Sequence, residues 1–228
     1  MGFKARRLEH AEDHSDPVSV TPPPVQLRYG QVMWLLNELG YGAGASRETM
    51  HEYLKALRKF GIPFGPVKFQ TKHKKTLATY SYGHIMELVI VLSLRVYHVI
   101  PDSVLKGIAQ YRGQLQRMFE RAYIERRSGS GRPLVVTSAG HPPVELRGLY
   151  LDLDIKFSAG RLVRFGPPKL LSAIEALTLF SESTLTRRTF MPMSLSLLAE
   201  QVATLALAAP MVRSGPPKGR KTNERRKR

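Results

Sequence analysis

The sequence predicts an α+β protein, on three observations. Apolar residues recur at helical spacing from Val25 to Arg127, a two-residue alternation takes over at Leu149–Phe157, and a Ser-Gly-Ser-Gly-Arg run, Ser128–Arg132, separates the two regimes. The expected layout is an arm over 1–24, a mainly helical domain over 25–127, a hinge at 128–132, a small α+β module over 133–209 and a tail over 210–228. The module is expected to hold a two- or three-stranded antiparallel sheet plus helices.

The elements follow in chain order. Met1–Pro24 has charges, His10, His14 and three consecutive prolines but no apolar run, so it reads as a disordered arm and not as a secretory signal. Val32, Leu35, Leu36 and Leu39, with Trp34, form one stripe of a first helix, which runs out at Gly40, Gly42 and Gly44. Ser46 is placed as the N-cap of a second helix, with Met50, Tyr53, Leu54, Leu57 and Phe60 as its apolar side and Gly61 and Pro63 closing it. Val67–Gln70 and Thr76–Tyr80 are β-prone runs around Thr71–Lys75, which reads as a hairpin with a cationic tip. A third helix from Ser81 turns Ile85, Leu88, Val89, Leu92 and Val96 inward. Pro101, Asp102 and Ser103 then open a long helix through Leu105, Ile108, Leu115, Met118, Phe119 and Tyr123. Beyond the hinge, Leu149–Phe157 alternate with Tyr150, Asp152, Asp154 and Lys156 as a half-buried strand. It turns at Ser158–Gly160 into Arg161–Phe165, and Leu134–Thr137 is a candidate third strand. Pro167 and Pro168 open a helix carrying Leu170, Leu171, Ile174, Leu177 and Leu179, and a last helix spans about Ser194–Ala208.

Charge locates the candidate function. The 228 residues carry 35 Lys and Arg against 18 Asp and Glu, a net +17 that suits a polyanionic partner. The excess is modular: net +8 over Met1–Ser128, +2 over Gly129–Val212 and +7 over Arg213–Arg228. No cysteine is present, which excludes disulfides, thiolate metal sites and a cysteine nucleophile. The longest apolar stretch, Ile85–Ile100, is interrupted by Glu87, Arg95 and His98 and is too short to cross a bilayer. A protein of the cytoplasm, associated with the nucleoid and without membrane contact, is expected.

Two helices about a turn, followed by a basic hairpin, have the order of a winged helix-turn-helix. The exposed side of the second helix is expected to present Arg47, Thr49, His51, Lys55, Arg58 and Lys59 to double-stranded DNA, and the hairpin to add Lys68, Lys72, His73, Lys74 and Lys75. Arg47, His51 and Lys55 are placed to read base edges, and the hairpin lysines to neutralise phosphates. A second, sequence-independent contact is expected from the tail through Arg220, Lys221, Arg225, Arg226, Lys227 and Arg228.

Ser46-x-x-Thr49-Met50-His51-x-Tyr53, Gly61-Ile62 and then Tyr80-Ser81-Tyr82 leading into Ile85–Val99 resemble the MerR-type winged helix-turn-helix proteins, over about residues 27–108. His51 and Ala78 stand where that family usually carries arginine, and the Gly40–Ala45 turn is longer than its norm. The resemblance implies a homodimer on a two-fold DNA site, with Pro101–Arg127 in the place of the family's dimerisation helix. Gln110, Gly113 and Gln116 interrupt any heptad there, so a simple coiled coil is not expected to be the whole interface. The family's cysteine-based metal sensing has no ligands in this chain.

The expected function is therefore a sequence-specific DNA-binding protein, a dimeric transcriptional regulator, with no enzyme activity, no cofactor and no metal. An excisionase-like factor that bends DNA is the first rival. A metal-dependent nuclease built on Asp152 and Asp154 is the second, set against the plain reading of two acids on a solvent-facing strand. His141, between Gly140 and Pro142, reads as a loop residue, and no phosphate-binding glycine loop or Gly-x-Ser-x-Gly motif occurs.

Overall fold

The computed structural model describes residues 21–42, 47–65, 78–96, 102–129, 134–136, 144–158, 161–186 and 193–211. Over these the chain is an α+β protein. The arm through residue 20, Ser46, the hairpin strand Val67–Gln70 with its tip, and the tail from 212 lie outside the described residues.

β1 (Leu27–Arg28) leads directly into α1 (Tyr29–Glu38), which buries Val32, Leu35 and Leu36 as its spacing predicts. The helix stops at Gly40, whose φ of +85° is a conformation that glycine adopts without steric cost. α2 (Arg47–Lys59) buries Met50, Leu54 and Leu57, and Ile62 just beyond it is also fully buried. The end of the expected hairpin, β2 (Thr79–Tyr80), pairs antiparallel with β1, Leu27 opposite Tyr80 and Arg28 opposite Thr79. This strand is thereby fixed to the entrance of α1.

α3 (Tyr82–Val96) is the centre of the fold. Residues 85–94 are all buried, including Met86, Ile90, Val91 and Leu94 on the side expected to face outward. A helix that is apolar all round must be enclosed. The cover on its other side comes from the far end of the chain: α7 (Leu195–Ala208) packs along α5 and against α3 and α1. α7 presents a face rich in small residues (Ser196, Ala199, Ala203 and Ala206, with Leu195 and Val202), which lets its backbone approach closely. One hydrophobic core therefore runs from Val25 to Ala206, and the expected hinge at 128–132 does not separate two cores.

The long helix expected after Pro101 is two helices, α4 (Asp102–Gln110) and α5 (Arg112–Ser128), broken at Tyr111 with φ −92° and ψ 12°. Two contacts account for the break. A side chain at Gly107 would overlap the Phe165 ring, so α4 is tilted onto a strand, while Arg112 is drawn into the ion pair described below. α5 ends on Gly129 in the left-handed conformation, within the glycine-rich run read as the hinge.

β3 (Leu134–Val136) pairs with β4 (Val144–Leu146) and not with the later strands. The alternating run 149–157 is also divided, into β5 (Leu149–Asp152) and β6 (Ile155–Ser158). Asp152 and Asp154, expected on a solvent face, are 6% and 8% exposed. Asp152 Oδ1 accepts the Asp154 N–H at 2.9 Å, and Asp154 has φ +45°, so the pair ends one strand and starts the next. β6 pairs with β7 (Arg161–Phe165). β5 instead lies between β8 (Lys169–Ser172) and β9 (Met193–Ser194) in a three-stranded antiparallel sheet.

Residues 169–172, expected to begin a helix after Pro167 and Pro168, are thus strand β8, and α6 (Ala173–Thr186) starts later. A reciprocal cap sets that start. The Ser172 N–H donates to Glu175 Oε2 at 2.7 Å while the Glu175 N–H donates to Ser172 Oγ at 3.3 Å. The Ser172 N–H, and then the Ser172 hydroxyl donating to the same Oε2 at 2.8 Å, hold the Glu175 carboxyl below its ordinary pKa.

Candidate nucleic-acid interface

With Met50, Leu54 and Leu57 in the core, the helical repeat turns the opposite side of α2 to solvent. His51, Lys55, Arg58 and Lys59 lie on it, interleaved with Glu48 and Glu52, and all six are exposed. Arg47 begins the helix. Thr49 is exposed but, one hundred degrees per residue round the helix, belongs to a different side from the basic row. Lys68, Lys72, His73, Lys74 and Lys75 and the tail residues Arg220, Lys221, Arg225, Arg226, Lys227 and Arg228 lie outside the described residues.

The two ends of this helix face differ in chemistry. Near the start, His51 Nδ1 lies 2.7 Å from the Tyr29 hydroxyl of α1, and the two rings meet edge to face at 5.5 Å. Beside them Tyr29, Met33, Glu48, His51 and Glu52 line a cavity of about 360 Å³ between α1 and α2. Lys55 Nζ pairs with Glu52 at 3.3 Å, an exposed i, i+3 pair of the kind that contributes little to stability. This end mixes acceptors with donors and is not a simple cationic surface.

The far end is cationic and aromatic. Arg58 Nη2 donates to the Tyr80 hydroxyl at 2.9 Å, and its guanidinium carbon sits 5.9 Å from the centre of the Phe64 ring. Tyr80 is buried, so its hydroxyl is a fixed acceptor rather than a mobile one. Phe64 leans on Tyr80 (ring centres 4.8 Å apart) and His84 (4.9 Å). His84 Nδ1 in turn accepts the Ser81 N–H at 3.2 Å. Burial, and then the nearby Arg112 charge, push the His84 pKa below its ordinary value, which favours the neutral ring that this bond needs.

Behind the far end stands one ion pair. Arg112 donates to both oxygens of Glu87 at 2.8 and 2.7 Å and from Nη2 to the Gly61 carbonyl at 2.6 Å. Burial raises the Glu87 pKa, and the hydrogen bonds and charge of the bidentate guanidinium oppose that shift. The guanidinium joins the turn after α2 to the middle of α3 and the start of α5. On the other side of α2, the Arg95 guanidinium lies 3.9 Å from the centre of the Tyr53 ring.

Tyr29, Phe64 and Tyr80 were not assigned to the surface from sequence. Phe64 alone carried a signal, an aromatic residue in a Gly-Ile-Pro-Phe-Gly turn with no place on either helical stripe. Tyr29 meets α2 from the start of α1, and Tyr80 is brought there by β1–β2 pairing, a contact between residues about fifty positions apart. Among the described residues no group of three or more His, Asp or Glu is placed to hold a metal ion, and no helix is long and apolar enough to cross a membrane. No family model, curated protein or solved structure matches this chain.

Proposed function

We propose that the chain is a sequence-specific DNA-binding protein of the winged helix-turn-helix kind, acting as a dimeric transcriptional regulator related to the MerR type. One observation carries the reading: α2 buries its apolar side and leaves a solvent face bearing His51, Lys55, Arg58 and Lys59 next to the sequence segment that contains Lys68, Lys72, Lys74 and Lys75. A helix exposed along one polar face suits a major groove, and a cationic segment beside it suits the phosphates that flank that groove.

Binding of labelled duplexes drawn from genomic DNA, measured by fluorescence anisotropy across a salt series, tests the proposal. The affinity is expected to fall log-linearly with salt, by about 0.9 per neutralised phosphate in B-DNA. Replacing Lys72, Lys74 and Lys75 together by Ala is expected to weaken binding to every sequence and flatten that slope, while Arg47→Ala chiefly erodes sequence preference. Absence of any salt-dependent binding overturns the reading, and binding that spreads along DNA with strong bending replaces a regulator with an architectural factor.

A further inference from the structure

We propose that Phe64 is a DNA contact, its exposed ring edge packing on a backbone sugar while Arg58, preset above it, grips the adjoining phosphate; this rests on the DNA-binding reading. The turn that carries Phe64 is otherwise hidden: Gly61, Ile62, Pro63 and Gly65 are buried, yet the Phe64 side chain between them is 39% exposed. A single exposed apolar residue is ordinary on a protein surface, and what sets this one apart is how the ring and its cation are held together. The ring is not loose, because Tyr80 and His84 hold two sides of it and the Arg58 guanidinium lies over it.

Arg58 is prepared in the same way. One of its five N–H donors is used on the Tyr80 hydroxyl, and the planar group rests by Phe64, so its orientation is set before any ligand arrives. A guanidinium ordered in advance loses less rotamer freedom when it takes a phosphate. Lys59 is exposed next to it in sequence, the neighbouring His84 is favoured neutral, and the nearby Glu87 carboxylate is covered by Arg112, so among the described residues that touch this cluster the one carboxylate is already paired. The partner that combines a phosphate with an apolar ribose edge at this spacing is a nucleic-acid backbone, and the reading above makes it duplex DNA.

The test uses the full-length protein and a 20-base-pair duplex that it binds, as an anisotropy titration over several salt concentrations. Phe64→Ala is expected to weaken binding roughly five- to tenfold, the scale of burying a partly exposed ring, with the salt slope unchanged because no phosphate contact is lost. Arg58→Ala is expected to weaken binding and reduce the slope by about one phosphate. Phe64→Trp keeps an aromatic ring and reports directly: its emission is expected to change on adding duplex, beside a constant signal from Trp34, the chain's one natural tryptophan. Wild-type binding with an unaltered Phe64→Ala affinity and a silent Phe64→Trp overturns the inference and leaves the DNA reading intact. No wild-type binding overturns both, and tighter binding of the single strand than of the duplex overturns the assignment to duplex DNA.

Discussion

Arg112 is the residue whose loss should be felt furthest. Its two bonds to Glu87 satisfy a carboxylate whose side chain is 2% exposed, and a third satisfies the Gly61 carbonyl. Arg112→Ala is expected to destabilise the fold by about 3–5 kcal/mol, since it leaves a buried charge without its partner, whereas Glu87→Gln together with Arg112→Gln is expected to cost less than the single change. Urea denaturation of the two variants beside the wild type measures both. At His84 the sign runs with acid. Its folded pKa lies below the ordinary 6.5, so its contribution to stability is complete above pH 6.5 and is lost as the pH falls below that value. The melting temperature is expected to drop between pH 7.5 and 5.5. It should drop less in His84→Asn, which keeps an acceptor for the Ser81 N–H without a titrating ring.

At the scale of elements, the fold depends on where regular structure stops. Gly107 marks the place where α4 rests on β7, against the ring of Phe165. Gly107→Ala is expected to cost about 1–3 kcal/mol by overpacking and to be relieved in part by Phe165→Leu, which chemical denaturation of the single and double variants would show. Such stops were the least legible part of the sequence. α1 and α2 follow from spacing alone, because a stripe of Leu, Val and Met fixes which side is buried; α3 is legible as a helix, but its enclosure on every side depends on α7, far along the chain. The break at Tyr111 does not, since nothing local separates an interrupted long helix from two short ones; it depends on Phe165 and Glu87. Asp152-Leu153-Asp154 fits an alternating strand just as well as a break between two strands, and the bond from the Asp154 N–H to Asp152 marks the break. Ser172-x-x-Glu175, by contrast, is a readable helix start, masked in the sequence by the earlier start that Pro167 and Pro168 offer. The same division holds for the candidate interface. The basic face of α2 is legible as the complement of its buried stripe, while the Tyr29, Tyr80 and Phe64 contacts on it come from the start of α1, β1–β2 pairing and a turn.

For the whole molecule, α7 makes the two halves interdependent. Tyr82 donates its hydroxyl hydrogen to the Ala199 carbonyl at 3.3 Å, Arg126 Nε donates to Glu200 at 2.7 Å, and Ser196 Oγ donates to Glu125 at 2.8 Å while accepting the Leu149 N–H at 2.9 Å. A fragment ending at Arg132 keeps α1 to α5 but exposes the surfaces of α1, α3 and α5 that α7 covers. It is expected to be molten, binding the dye ANS and lacking a sharp thermal transition, whereas the complete chain unfolds in one. Cooperative melting by the fragment alone would contradict that expectation. The near-neutral segment after the hinge thus acts as a structural partner of the basic half, whatever else it contacts.

The amide of Gln31 joins the two ends of this core. Its oxygen accepts the Arg28 N–H at 2.9 Å and its nitrogen donates to the Pro210 carbonyl at 3.2 Å, two residues along α1 from the Tyr29 that meets His51. Covalent geometry then acts as a leash. At no more than about 3.6 Å of contour per residue, Arg220 lies within about 36 Å of that carbonyl and Arg226 within about 58 Å, in whatever conformation the intervening chain adopts. Pro210 is held at the foot of α1, beside the helix proposed to enter the groove, so the contour length that follows it bounds how far from that helix the tail's charges can lie.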